Sequence, residues 1–441
     1  MAKHRKSAYE LSQSQVSTPT KVVSLFWRLA KKRRNNLGTV LDLGAGDGRF
    51  ARKANFRQYV GVEIDRSKSR DIVLPENARL INNCAFKHRA KDYDGCIGNP
   101  PYVRHHDIES PWKETTVSRL ERDLGIAMNK HCNLYVYFFC LGLAKTHAKG
   151  LVALVIPYEW VSRPSAACLR EYIRKQRWDV LVYRFQQPIF KGVLTTASVS
   201  IVDKNSRNGR WRYFDITPDF RVKKRIGVSD SEGGVLEYSD RGPVWALRGL
   251  SPGSQRIFTL TEGERLHFGL GKRDVMPCVT TLKNVPRSLK MLTKASFKKH
   301  YVDAGNRCWL IKSLSKTRSA SLDAYLCSVP ESARDNYTCR EQTPWFNYAP
   351  HPVPQMLFGS GFTKFGPKVL TNSVGAVAVG SVWGIHSQMP IPQRRLQRHL
   401  LKIDFEKRVV AHARTLKKIE VKQLNTVLKK FAKRERLHGH K

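Results

Sequence analysis

The chain is short of acid. Of its 441 residues only 36 are Asp or Glu, against 78 Lys and Arg, for a formal net charge of +42. That imbalance is extreme for a globular enzyme acting on a small acidic substrate. It fits a polyanionic partner whose phosphates are neutralised by Lys and Arg. A solvated basic surface and an anionic membrane face are the alternatives. The nine cysteines include no C-x-x-C pair and no Cys/His cluster with zinc spacing. They read as reduced, packed thiols of a cytoplasmic protein, and no metal is expected. Long apolar runs are also lacking. The longest, around Leu134–Ala144 and Leu151–Pro157, fall short of the roughly 20 residues a membrane span needs. No apolar run follows Met1-Ala2-Lys3-His4-Arg5-Lys6, so no signal peptide and no membrane partner are expected.

What is present suits two globular domains. Hydrophobic residues make up 41% of the chain, enough for real cores. Residues 1–17 are polar. Thr18–Lys31 has helical apolar spacing, with Ser17 or Thr18 as a cap and Pro19 early. Strands are expected at Val40–Leu43, Tyr59–Ile64, Arg79–Asn82 and Tyr93–Gly98. A helix is expected from about Arg49, another over Asn133–His147 and a third over Ala166–Arg177. Further strands fall at Leu151–Pro157, Val180–Phe185 and Ala197–Asp203. Such alternation predicts an α/β fold with a parallel, doubly wound sheet. The polar run Asp203–Arg210 then acts as a connector, which places a boundary near residue 215. Beyond it the pattern is irregular. The last stretch, from about Arg394, returns to a helix dense in Lys and Arg.

Two motifs carry chemistry. The first is the turn Leu41-Asp42-Leu43-Gly44-Ala45-Gly46-Asp47-Gly48, which follows a strand. Gly44 permits a tight turn, and Gly46 lets backbone approach a ligand. Its G-x-G-x-G spacing differs from the dinucleotide pattern. Asp42 can meet a cationic amine. Glu63 ends the next strand, about 20 residues on, where an acid can hold both ribose hydroxyls. An ammonium and a ribose without phosphates describe S-adenosylmethionine. An ordinary strand–turn–helix with surface acids is the alternative.

The second motif is Asn99-Pro100-Pro101-Tyr102, at the end of the strand Tyr93–Gly98. An aromatic amino nitrogen is a poor nucleophile because its lone pair is delocalised. Two acceptors aimed at its N–H bonds, the Asn99 side-chain oxygen and the Pro100 carbonyl, would favour a tetrahedral nitrogen and stabilise developing positive charge. The prolines fix the backbone that carries them. Tyr102 offers a face on which a flipped base can stack. An Asn-Pro turn closing a strand is the alternative.

With these motifs in this order, the chain resembles the gamma class of DNA adenine-N6 methyltransferases of type II restriction–modification systems. Ser17-Thr18-Pro19 is similar to the early segment beside the cofactor's methionine, which implies a cofactor role for Thr18. Val40–Phe50, Gly61–Asp65 and Asn99–Tyr102 are similar to the glycine motif, the ribose-binding strand end and the catalytic tetrad. Asn83 stands where the family has an acid that contacts the cofactor adenine. Phe190, before Thr196-Ala197-Ser198, is similar to a second aromatic that closes the other face of the target base. An aromatic in the core is its alternative. Leu43 departs from the proline that often follows the first acid of the motif.

The resemblance implies an S-adenosylmethionine-dependent methyltransferase domain over residues 1–215, Rossmann-like and doubly wound. It implies an irregular target-recognition domain with a basic helical tail over residues 216–441. The expected partner is double-stranded DNA, with a cognate restriction endonuclease sharing the recognition site, and the expected state is a monomer in a bacterial or archaeal cytosol. Arg307 with Trp309, Lys312, Lys316-Thr317-Arg318, Trp345-Phe346, Lys364 and Lys368 suit phosphate contacts and groove insertion. The tail lysines Lys417, Lys418, Lys429, Lys430 and Lys433, with Arg434, suit a basic helix on the backbone, a solvated helical face being the alternative. An RNA adenine-N6 methyltransferase and a glutamine-N5 protein methyltransferase use the same tetrad logic and are the rival readings. A nucleic-acid-binding protein on an inactive methyltransferase fold is a third, and cytosine-N4 transfer a chemical variant.

Overall fold

The computed structural model describes residues 16–438, apart from 54–55, 71, 191–194, 226–237, 315–317, 350, 364, 410 and 414–415. The chain divides into two compact units, the first made of residues 1–235 with 410–415 and the second of residues 236–409 with 416–441.

The first unit is built on one nine-stranded sheet. Its strands are β1 (Leu37–Leu43), β2 (Phe56–Glu63), β3 (Ala78–Asn82), β4 (Tyr93–Gly98), β5 (Thr146–Pro157), β6 (Asp179–Phe185), β7 (Ala197–Asp203), β8 (Trp211–Ile216) and β9 (Val222–Lys224). They lie in the order β3-β2-β1-β4-β5-β7-β6-β8-β9. Strands β1 to β5 pair in parallel. β7 runs antiparallel between β5 and β6. The sheet is therefore mixed rather than parallel throughout: β1 to β5 pair in parallel, as do β6 and β8, while β7 and β9 run antiparallel to their neighbours. The reason is local: among the described residues no helix links β6 to β7, and a parallel return needs a crossover.

Both faces of the sheet are covered, so its central strands are apolar throughout. Leu151, Ala153 and Val155 of β5 face one core, with Val22, Phe26 and Leu29 of helix α1 (Thr20–Arg33). Val152, Leu154 and Ile156 face the other. Helices α2 (Ser110–Leu124), α3 (Leu134–Lys145) and α4 (Ala167–Lys175) follow later in this unit. α3 is buried on almost every side, which accounts for its unbroken apolar run. It ends earlier than expected because Thr146 and His147 already belong to β5. Arg33 pins the end of α1 to the far strands, reaching Asp203 of β7 at 2.5 Å and Asp179 of β6 at 3.1 Å.

Three expectations change here. After the glycine turn there is only a single 3-10 turn, Ala51–Lys53, because β2 starts at Phe56 and leaves no room for a helix. Helix α1 is preceded by Pro19 with no side-chain cap; Thr18 is used elsewhere. The boundary near 215 falls too early. β8 pairs with β6 over Trp211–Ile216, and β9 pairs with β8, so the first sheet carries the chain past it.

The second unit is more regular than its composition suggests. It holds a five-stranded sheet, containing Val244–Leu247, Val382–Ser387, Met356–Gly359, Val369–Asn372 and Met291–Leu292 in that order, and a four-stranded sheet. The five-stranded sheet contributes to both cores of this unit, and the four-stranded sheet to one of them. The basic tail forms helix Val421–His438, preceded by the strand Leu416–Lys418 that carries Lys417 and Lys418. Leu424, Val427, Leu428 and Phe431 bury one face of that helix, while Lys429, Lys430, Lys433 and Arg434 stay exposed. No helix among the described residues is long and apolar enough to cross a membrane.

Phe139 is fully buried on α3, with its ring 5.1 Å from that of Trp160. Phe139→Ala is expected to destabilise the first unit by about 3–5 kcal/mol, through lost burial and an unfilled cavity. A urea titration followed by tryptophan fluorescence measures the shift.

Candidate active site

The ends of β1, β2 and β4 converge because the three strands are parallel neighbours. Asp42 of β1 pairs with Gly61 of β2 on one side and Ile97 of β4 on the other. In such a sheet, ligands bind where strand carboxyl ends face an opening crevice. The glycine turn and the tetrad meet there. A Cβ on Gly44 would lie 3.7 Å from Pro101 Cδ, and one on Gly98 only 2.1 Å from Asp42 Oδ1. Gly44 and Gly46 both have positive φ, at 78° and 57°, as their turn requires.

Asp42 is 0% exposed. Its Oδ2 accepts the Tyr59 hydroxyl at 2.7 Å, and its Oδ1 has no partner. Burial pushes its carboxyl up to about 7, with Glu63 and Asp47 adding repulsion and the Tyr59 hydrogen bond opposing. A cation arriving at Oδ1 would relieve both costs. Glu63, 5% exposed, accepts the Gly46 N–H at 2.8 Å through Oε2 and the Asp65 N–H at 2.9 Å through Oε1. It thus braces the glycine turn, and an ionised carboxylate keeps acceptor sites for further hydroxyls. Asp65 caps the next short helix by accepting the Ser67 N–H. Asn83 is exposed and follows β3; its backbone donates to Glu63 O and its side chain accepts the Cys84 N–H.

Asn99 begins the tetrad just past β4. Its Nδ2 donates to Thr18 Oγ1 at 3.0 Å and to Val16 O at 3.3 Å. A backbone carbonyl only accepts, so the amide orientation is decided by Val16. The Asn99 Oδ1 is left buried and without a partner. Thr18, 3% exposed, is thereby joined to the site. Arg49 holds the Thr18 carbonyl at 2.5 Å while its guanidinium pairs with Asp47 of the glycine turn at 2.8 Å. Arg49 and Tyr59 carry no signal in the sequence; neither is one of the glycines, acids or tetrad residues that mark the motifs, and only proximity reveals them.

Pro100 is buried. Tyr102 donates its hydroxyl to Val155 O at 3.0 Å, which fixes the ring, and burial holds the phenol well above its ordinary range. Phe190 lies beside it, with ring centroids 6.0 Å apart at 80°. The two aromatics are brought together, edge to face. Phe190 is 5% exposed and packs in the core that includes α1. At this angle the rings leave no parallel slot between them.

The expected DNA-contact residues of the second unit are mostly engaged internally. Arg307 pairs with Glu264 at 2.6 Å, and Trp309 is buried. Lys368 donates to the carbonyls of Leu282, Lys283 and Val285. Trp345 and Phe346 pack against the core. Lys316, Thr317 and Lys364 lie outside the described residues.

Two family models match the chain. Residues 31–190 match the Eco57I restriction-modification methylase, and residues 247–404 match the C-terminal domain of the type II methyltransferase M.Eco57I. The chain belongs to the type II restriction–modification methyltransferases. Similar relatives include M.AccI of Acinetobacter calcoaceticus, 22% identical over 77% of this chain and 69% of that protein. M.XamI of Xanthomonas campestris pv. amaranthicola is 22% identical over 85% and 76%. Among solved structures, the Type IIL restriction-modification enzyme MmeI in complex with DNA has a similar fold, with TM-score 0.59 and 10% identity over 92% of this chain. The Type ISP enzyme LlaGI, with a DNA substrate mimic, gives TM-score 0.50 and 12% identity over 93%. This chain spans 63% and 46% of those two chains. The first family model spans Asp42, Glu63 and the tetrad, so the site lies inside the methylase match.

Gly98 has φ +128° and no room for a Cβ beside Asp42. Gly98→Ala is expected to cost about 1–3 kcal/mol through backbone strain and displacement of the carboxylate. Gly95→Ala on the same strand, whose nearest neighbour would be the Leu151 carbonyl at 3.4 Å, is the milder control. Thermal midpoints compare the two.

Proposed function

We propose that this methyltransferase uses S-adenosylmethionine to methylate N6 of a specific adenine flipped out of duplex DNA. The observation that carries the reading is the unpaired, buried Asn99 Oδ1 beside the glycine turn. It is an acceptor with a fixed direction and nothing to accept, which suits an incoming amino group.

The cofactor supplies an electrophilic methyl on a sulfonium. Asp42 would hold its ammonium, since Oδ1 is a buried acceptor without a partner. Glu63 would hold the ribose hydroxyls while bracing Gly46. Gly44 and Gly46 let the turn approach closely. Thr18 and Asn83 are carried by resemblance: Thr18 as support beside the methionine part, Asn83 as an uncharged partner for the adenine.

For the target, Asn99 Oδ1 and the Pro100 carbonyl accept the two N–H bonds of the exocyclic amine. They draw the nitrogen toward a tetrahedral lone pair and stabilise the charge that grows as it attacks. Tyr102 would stack on one face of the base and Phe190 on the other, which requires the two rings to leave their edge-to-face contact. No covalent nucleophile enters the scheme. A cognate restriction endonuclease, a monomeric state and a cytosolic location complete the proposal. The family membership and the DNA-bound relatives favour DNA over RNA or a protein amide.

Single-molecule sequencing of DNA from a methylation-deficient host expressing the chain tests the substrate. N6-methyladenine at one short motif is the supporting result. Asn99→Ala is expected to lower kcat by about 10²–10³-fold, with cofactor affinity nearly unchanged. Turnover close to wild type would sink the role of Asn99.

The Asp42 carboxyl titrates near 7. Only its ionised form attracts an ammonium, so cofactor affinity is expected to rise with pH through 7 and then level off. Binding should release a proton in that window, because the cation lowers the carboxyl's affinity for it. Calorimetry across pH measures both, and Asp42→Asn should bind weakly with a flat profile. A wild-type affinity independent of pH would remove Asp42 from the ammonium site.

A further inference from the structure

The second unit has a shallow cleft of about 280 Å³ that none of the expected contacts explains. Its rim carries Arg287, Lys290, Phe365, Lys368 and Leu401, and its described lining holds no carboxylate. Lys368 is spent on three backbone carbonyls and holds the floor together. Arg287 and Lys290 are exposed. Arg287 donates to Gly366 O at 2.6 Å, and its guanidinium lies 5.4 Å from the centre of the Phe365 ring. The ring is thus held outward by a cation and is 78% exposed. An uncovered aromatic inside a ring of positive charge gains only when something covers it.

The rim is preformed. Gln397 of helix Gln393–Lys402 donates through Nε2 to Lys290 O at 2.7 Å and Val369 O at 2.9 Å. Arg394 and Leu401 fall on the same side of that helix as Gln397, three residues before and four after. Leu401 and Arg394 are both exposed, so the helix extends the basic and apolar rim.

A partner that fits must offer closely spaced anions and apolar surface between them. We propose that the cleft is a duplex-DNA contact, in which Arg287 and Lys290 neutralise neighbouring phosphates and Phe365 enters the groove between them. Phosphate contacts set register on the duplex, and an apolar side chain wedged at a base step adds contact that a point charge cannot. This inference rests on the DNA reading above and names the surface that would carry it.

The test titrates a fluorescently labelled, mixed-sequence duplex with the full chain at several salt concentrations, reading anisotropy. Lys290→Gln is expected to weaken binding and to make the slope of log affinity against log salt shallower by about 0.9, the loss of one phosphate contact. Phe365→Ala is expected to weaken binding at every salt with the slope unchanged. Both side chains are exposed and lie outside the first unit, so cofactor affinity stays at wild type, and an unchanged thermal midpoint reports an intact second unit. Wild-type binding with both variants indistinguishable from it would overturn this proposal and leave the methylation reading standing. Failure of the wild type to bind duplex while binding cofactor would overturn both. Tighter binding to single-stranded RNA of the same sequence would overturn the duplex assignment.

Discussion

Two buried oxygens without partners organise this molecule. Asp42 Oδ1 and Asn99 Oδ1 lie at the ends of adjacent parallel strands, β1 and β4. Leaving a buried acceptor unpaired costs about 1–3 kcal/mol, and both of these stand at the strand ends that carry the glycine turn and the tetrad. The covered sheet around them keeps water out, so the cost is borne by the fold. Val16 and Thr18 hold Asn99 from one side, with Arg49 anchoring the Thr18 carbonyl, and Tyr59 holds Asp42 from the other. Each vacant acceptor is the free end of a side chain whose other polar atom is tied down. Strain and orientation come from the same contacts.

The rest of the first unit serves that arrangement. Parallel pairing of β1 with both neighbours puts the glycine turn, Glu63 and the tetrad on one edge. Gly98 closes the gap between Asp42 and the tetrad at a conformation that side chains avoid. The antiparallel insertion of β7 lies beyond β5, away from these strand ends. Tyr102 reaches across to Val155 of β5 and so measures its position against the same sheet. Phe190 comes from the loop after β6, a separate part of the chain. Its edge-on contact with Tyr102 leaves no parallel slot between the two rings.

Much of this was legible in residue order. Asp42, Gly44, Gly46, Glu63 and the tetrad could be read because strand, turn and strand end follow one another at short range. The strands themselves announced their positions through unbroken apolar runs such as Leu151–Ile156. What could not be read depends on distance along the chain. Thr18 looks like a helix cap in sequence, and it caps nothing, because Asn99 arrives from 81 residues away. The helix expected after the glycine turn fails because β2 begins too soon, a constraint set by the sheet rather than by propensity. The direction of β7 depends on which neighbour it reaches, which periodicity does not report.

The basic residues show the same limit more sharply. In sequence, Arg307 beside Trp309 and Lys368 look like nucleic-acid contacts, while Arg287 and Lys290 look ordinary. Folding reverses the order. Arg307 is paired with Glu264, and the Lys368 ammonium has its donors committed to three backbone carbonyls, so neither is free to reach a phosphate. Arg287 and Lys290 keep theirs at the surface, with Phe365 between. A net charge of +42 says that a polyanion is welcome. Which cations meet it follows from which have already been neutralised by the chain itself, and that is a property of the fold.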